Sequence, residues 1–535
     1  MVVPTTYEET FERAIQRVHD SFLIVEREGG PALLEWEPSA SEPIDGERII
    51  GVLPPCRPEQ QGDRSFCREH RLQFPYVAGA MANGIASAEI VEEMGRAGML
   101  GMFGAAGLPL KAVEAAIDRL GRTLGPSVPY GFNLIHSPNE PELEAAVADL
   151  YLRRGIKLVE ASAYLDLTLP VVCYRVHGIR VDGEGNIVVP NRIIAKVSRV
   201  EVASKFLAPP PAKFLRELVA LGEITGDQAT LASKIPMADD VTAEADSGGH
   251  TDNQPAIVLL PTLLALRDRL QAEYGYERPL RIGAAGGIST PWAAAAAFAM
   301  GAAYIVTGSV NQGCVEAGTS DTVRKMLADA RQADIAMAPA ADMFEMGVKV
   351  QVLKRGTMFA MRAGKLFETY RAYDSVEQIP AAERAMLEKN FFRAPLETIW
   401  DQTRSYFQSR DPGQIDRASR DAKHKMALIF RWYLGQSSHW ANAGEPTRAV
   451  DYQIWCGPAM AAFNEWVRGS YLERPEERRV VTVAGNILLG SAVLARARGL
   501  AAQGVPLPPG IPRLAPLEPA ELADRLNMTH VREKA

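Results

Sequence analysis

The sequence lacks the paired cysteines that build metal centres. Its five cysteines, Cys56, Cys67, Cys173, Cys314 and Cys456, form no C-x-x-C motif. That spacing argues against a zinc or iron–sulfur site and fits a reducing cytoplasm. A basic segment followed by an apolar one is missing from the start, MVVPTTYEETFERAIQ, which therefore does not read as a signal peptide. The Ala-rich run PWAAAAAFAMGAAYIV is short and broken by Gly301. It reads as a helix running into a buried strand, and no membrane partner is expected. Positive charge is also in deficit: 58 basic against 65 acidic side chains leave a net charge of -7. This disfavours a dedicated nucleic-acid binder. No G-x-G-x-x-G follows the first apolar run, which disfavours a dinucleotide-binding sheet.

What is present is a β/α rhythm. The chain has 535 residues, 47% hydrophobic and 23% charged, too long for one ordinary core and typical of a globular protein. Eight short apolar runs span residues 74–80, 99–105, 130–135, 157–163, 192–198, 240–246, 281–287 and 303–309. Amphipathic stretches such as LKAVEAAIDRLG separate them. Such alternation implies parallel strands joined by helical crossovers, and eight units in roughly 240 residues favour a (β/α)8 TIM barrel. The expected organisation is a leader with hairpin hints at 1–70, a barrel at 71–335 with an insertion near 206–238, and a mostly helical C-terminal region at 336–535.

In this fold, chemistry sits where strands end and βα loops begin. The first run ends in Ala80, Met81, Ala82 and Asn83, the third reaches Asn133, and the fifth carries Lys196. The sixth ends in Ser247, Gly248, Gly249 and His250, the seventh in Gly286 and Gly287, and the eighth in Gly308 and Ser309. Loops seven and eight form the usual phosphate site of the fold, because glycine lets backbone N–H groups approach an anion. A lysine at a strand end could stabilise negative charge on a bound group or snorkel to solvent. An imidazole with a near-neutral pKa suits proton donation or carbonyl polarisation. His177, His424 and His439 read as packing or surface groups. Trp432, Trp440, Trp455 and Trp466 read as core aromatics, with a binding surface as the alternative, and Asp246 as an acceptor that fixes its loop.

The strings AGAMANGIAS, GFNL, IIAKVS, EADSGGH, AAGGI and TGS resemble the FMN-binding pattern of the nitronate monooxygenase and flavin enoyl reductase superfamily. The longer ADDVTAEADSGGHTDNQP, with RWYLGQSSHWA and DYQIWCGPAMAAFNEWVRGS, is similar to a narrower group. These are the PfaD-type trans-acting enoyl reductases of trans-acyltransferase polyketide synthases and polyunsaturated fatty-acid synthases. The resemblance covers residues from about 70 to 500. It implies FMN at the barrel mouth and NADPH as reductant. Ala80, Met81, Ala82 and Asn83 would line the flavin ring, and Asn133 and Lys196 would contact it. Gly248 and Gly249 would let loop six approach, and Gly286, Gly287, Gly308 and Ser309 would hold the phosphate. His250 would be the catalytic group, acting on an enoyl thioester carried by an acyl carrier protein. A nitronate monooxygenase and a non-catalytic flavin-bearing scaffold are the competing readings. The basic stretch 349–371, with Lys349, Lys354, Arg355, Arg362, Lys365 and Arg371, reads either as a solvated helix face or as a dock for an acidic carrier protein.

Overall fold

The computed structural model describes residues 7–28, 30–36, 48–138 and 140–528. Parts of the expected leader, at 1–6, 29 and 37–47, and the last residues 529–535 lie outside the described residues. The eight apolar runs form eight strands: β1 (Tyr76–Ala78), β2 (Leu100–Phe103), β3 (Gly131–Ile135), β4 (Leu158–Ser162), β5 (Arg192–Val197), β6 (Asp240–Glu244), β7 (Arg281–Ala285) and β8 (Ile305–Thr307). They close into a barrel in chain order, β8 pairing with β1 through Ile305 and Tyr76. Every pairing in the barrel is parallel. Parallel strands are covered on both faces, which is why these runs read as nearly continuous apolar segments.

The helices follow from local sequence. Leu110–Leu124 buries Val113, Ala116, Ile117, Leu120 and Leu124, one helical face, against the strands. Ser87 caps the helix after β1 by accepting from the Ile90 amide, and Thr290 caps the helix after β7 by accepting from Ala293. Three short helices, Val200–Leu207, Ala212–Ala220 and Gly226–Ala232, fill the long connection between β5 and β6.

The floor of the barrel is ionic. Asp240 accepts from Arg281 at 2.6 and 3.0 Å and meets His70 Nε2 at 2.8 Å. Burial opposes the charge on Asp240, but Arg281 and His70 outweigh it and hold the carboxyl well below its usual range. Outside the barrel, the strands Phe22–Arg27 and Gly30–Glu35 form the expected hairpin, and Arg48–Leu53 adds a third strand.

The chain beyond residue 335 divides between two cores. The antiparallel pair Ile335–Pro339 and Lys349–Leu353 and the helices α1 (Phe359–Ala372), α2 (Leu396–Arg410) and α3 (Ala422–Ala443) form a cap. The cap has its own core, in which Phe344, Phe359, Leu366, Phe392, Phe430 and Tyr433 are buried. Asp451, fully buried, ties the cap together by accepting from Arg362, Arg393, Arg448 and Tyr433. The long helix α4 (Val480–Ala502) instead joins the barrel core. It is apolar and long enough to cross a membrane by composition, yet 89% of its most apolar window is buried inside the protein. Gly490 lets it lie against the helix after β7: a Cβ there would meet Pro291 Cγ at 2.6 Å.

Candidate active site

One cavity of about 620 Å³ lies between the C-terminal mouth of the barrel and the cap. All thirteen sequence-predicted site residues, Ala80 through Asn83, Asn133, Lys196, Gly248, Gly249, His250, Gly286, Gly287, Gly308 and Ser309, line it. Residues scattered over 230 positions converge because each sits at or just past the end of a parallel strand.

The glycines act through backbone conformation. Gly286 and Gly287 adopt φ of 81° and 76°, values that strain any side-chain-bearing residue. At Gly286 a Cβ would also strike the Ala245 carbonyl carbon at 2.7 Å. At Gly287 and Gly308 a Cβ would meet nothing within 4 Å, so both border open space. The result is a backbone cradle that a side chain would fill. Gly249 carries a different constraint, since a Cβ there would approach Glu244 Oε1 at 3.1 Å.

Two of the strand-borne groups are held by acids that the sequence reading gave no role. Lys196 Nζ lies 3.5 Å from Glu244 Oε1 and 3.7 Å from Glu160 Oε2. Burial works against the ammonium, but the two carboxylates outweigh it and raise its pKa above the ordinary lysine value. Glu160 is fully buried and accepts from the Ala80 amide at 3.0 Å, while its other oxygen has no partner. Burial raises its pKa, against the pull of Lys196. Asn133 donates from Nδ2 to Ser162 Oγ at 2.8 Å and to the Glu160 carbonyl at 3.1 Å. A carboxylate inside an otherwise apolar strand, as in KLVEASA, is the signal that marks Glu160.

His250 pairs with the cap. Its Nε2 lies 3.0 Å from Asp342 Oδ1, and the imidazole retains 23% exposure in the cavity. Burial lowers the pKa of the ring, but Asp342 more than compensates and raises it above the ordinary histidine value. The same contact lowers the pKa of Asp342 against the desolvation of the site. Nothing in the sequence around Asp342 points to this pairing, which joins residues 92 positions apart. Asp246 accepts from Gln351, as expected of a loop-fixing group, and Asn83 donates to Ser438 Oγ at 2.9 Å.

The cap corrects several readings. Trp432, Trp455 and His439 face the cavity together with Tyr406, Phe407, Arg410 and Arg431, whereas the sequence suggested core or surface positions for the first three. Their place in the wall depends on how α2 and α3 dock, which no local pattern encodes. None of the six basic residues of 349–371 lines the cavity. Arg362 is spent on Asp451, Lys365 pairs with Glu383 at 2.7 Å, and Arg355 lies 3.5 Å from Asp334.

Comparison with known proteins agrees with this geometry. Residues 65–370 match the family model of nitronate monooxygenase, and residues 373–452 match that of the inserted helical domain of [acyl-carrier-protein] S-malonyltransferase. The chain is 50% identical over 456 residues to a polyunsaturated fatty acid synthase protein of Thraustochytrium sp., a match covering 84% of this chain and 30% of that protein. It is 46% identical over 440 residues to the polyketide biosynthesis protein PksE of Bacillus subtilis, covering 82% and 57%. The chain thus spans less than two thirds of either curated relative. The crystal structure of the enoyl reductase domain of MlnA, from the macrolactin cluster of Bacillus amyloliquefaciens, superposes with a TM-score of 0.78 at 41% identity, covering 82% of this chain and 99% of that one. The chain therefore belongs to the nitronate monooxygenase family and, within it, groups with the PfaD-type enoyl reductases of polyketide and polyunsaturated fatty-acid synthases.

Proposed function

We propose that this chain is an FMN-dependent enoyl reductase that uses NADPH to saturate the α,β-double bond of an enoyl thioester carried in trans on an acyl carrier protein. The observation that carries the reading is the His250–Asp342 pair, set beside the glycine cradle inside a roofed cavity. FMN, when bound, would supply hydride transfer from NADPH to the β-carbon of the thioester. The open backbone at Gly287 and Gly308 fits its phosphate, with Gly286 and Ser309 completing the cradle. Ala80, Met81, Ala82, Asn83, Asn133, Gly248 and Gly249 would border its ring system, and Lys196 would place a cation at its edge.

The chain's own chemistry is proton management. As the β-carbon accepts hydride, negative charge develops on the thioester oxygen and the α-carbon requires a proton. His250, whose pKa Asp342 raises against the pull of burial, would be the acid that meets either need. A carrier-bound substrate is supported by the helical segment at 373–452, which matches a module of an acyl-carrier-protein transferase, and by relatives that are synthase proteins.

The family match favours one second reading, a nitronate monooxygenase. Anaerobic reduction of the flavin-loaded protein by NADPH separates the two. Reoxidation by a crotonyl thioester supports the reductase. Reoxidation only by oxygen with a nitronate would replace it, and no reaction with either would leave a flavin-bearing scaffold.

A further inference from the structure

The chemistry above leaves two arginines of the cavity without a task. Arg410 ends α2 and Arg431 lies on α3, and both line the cap side of the cavity. Arg410 Nη2 donates to Glu140 Oε2 at 2.9 Å, across from the barrel, while its buried Nε has no partner. Arg431 makes a longer contact, 3.4 Å, to Glu345 Oε1. A guanidinium carries five N–H donors, so one carboxylate contact fixes each group and leaves donors over. Tyr406, one turn before Arg410, lies with its ring 5.3 Å from that guanidinium. Burial raises the pKa of its hydroxyl, and Arg410 and Arg431 both pull it back down, so the phenol lies within electrostatic reach of the two cations. Phe407 and Leu428 pack together as part of a small apolar cluster that seats α2 on α3. Two further arginines of the cap behave differently: Arg362 and Arg448 close on Asp451 and do not line the cavity.

We propose that Arg410 and Arg431, with Tyr406, form a subsite for an organic phosphate in the roof of the cavity. A guanidinium fork matches the oxygens of a phosphate as it does those of a carboxylate, and here two such groups line one roof, Arg410 over the Tyr406 ring. Two sources share that chemistry: the phosphodiester of a phosphopantetheine arm and a phosphate of the nicotinamide dinucleotide. The inference rests on the enoyl-reductase reading, in which both molecules must bring a reacting carbon into one cavity.

The test compares crotonyl-pantetheine with crotonyl-phosphopantetheine, which differ by one phosphate, on flavin-loaded full-length protein. The wild type should favour the phosphorylated thioester in kcat/KM by roughly tenfold or more, the scale of one charge-assisted contact. Arg410→Ala and Arg431→Ala should collapse that ratio towards one, and Arg→Lys should keep part of it. If the nucleotide is the source, the thioester ratio stays flat and the KM for NADPH rises by a similar factor in the same variants. Flavin-loaded variants that change neither quantity, or that lower both thioesters equally at an unchanged KM for NADPH, overturn the subsite. Should the alanine variants fail to fold, the wild type decides. A preference for the phosphorylated thioester, or competitive inhibition by inorganic pyrophosphate, supports the subsite, and absence of both overturns it. A wild type that reduces neither thioester removes the enoyl-reductase reading, and calorimetric binding of pyrophosphate to the flavin-loaded chain, lost in Arg410→Lys with Arg431→Lys, then judges the subsite separately.

Discussion

The two walls of the cavity are built from different materials. The barrel wall is largely backbone and small side chains: Gly248, Gly249, Gly286, Gly287 and Gly308 border it, and Lys196 and His250 are the basic side chains it contributes. The cap wall is made of large side chains, among them Tyr406, Phe407, Arg410, Arg431, Trp432 and His439. Backbone held by a closed barrel is rigid and suits a flat, phosphate-bearing cofactor that never changes. Side chains on a separately packed cap suit substrates that differ in length and charge. The two regions also anchor themselves in the same way at different places. Asp240 neutralises Arg281 beneath the barrel, and Asp451 gathers three arginines inside the cap. The proposed proton donor spans the divide, with His250 from the barrel and its partner Asp342 from the cap.

The largest effect should come from the barrel wall. Gly287→Val places a side chain in the cradle at a φ of 76°. The protein should purify soluble with little flavin and almost no activity. A variant that is fully yellow would move the phosphate elsewhere.

His250→Ala should keep the flavin and lose roughly 10²–10⁴-fold in enoyl reduction, the usual contribution of a general acid. Stopped-flow reoxidation of the reduced protein by a crotonyl thioester measures this step directly. Wild-type rates in the loaded variant would remove His250 from the chemistry.

Within the cap, Asp451→Asn leaves Arg362, Arg393 and Arg448 without their carboxylate. Breaking such a buried network costs about 3–5 kcal/mol. Urea unfolding should show an early transition confined to the cap, with flavin released later. A single transition at a lowered midpoint would mean that cap and barrel are one cooperative unit, and an unchanged midpoint would remove Asp451 as the anchor of the cap.

The smallest effect sharpens the link between the walls. Asp342 raises the pKa of His250 against the pull of burial, so Asp342→Asn should lower it. The acid form is then lost at a lower pH, and the alkaline fall in kcat shifts in the acid direction. At pH 8 the variant should lose about tenfold, less than loss of the acid itself, and recover as pH falls. A pH profile that merely scales down, without shifting, would show that Asp342 only positions the loop.

How much of this was legible beforehand depended on the wall. The eight strands were readable because parallel strands buried on both faces must be apolar throughout, and the glycines stood out because only they tolerate the required backbone. Glu160 left a trace, as a charge inside an apolar run. Asp342, Arg410 and Arg431 left none, because their significance comes from helices and loops far apart in the chain meeting over the mouth. The basic stretch 349–371 shows the same limit: a run of positive charge does not reveal that Arg362 is turned inward to Asp451.

The sequence by itself determined the barrel, the glycine cradle and the place of His250 at the mouth, since local periodicity and backbone geometry are properties of short segments. Tertiary structure alone decided which acid tunes that histidine, which cations face the cavity and which tryptophans line the roof. Those choices are set by the docking of a second core on the first, a long-range packing outcome that no single segment encodes.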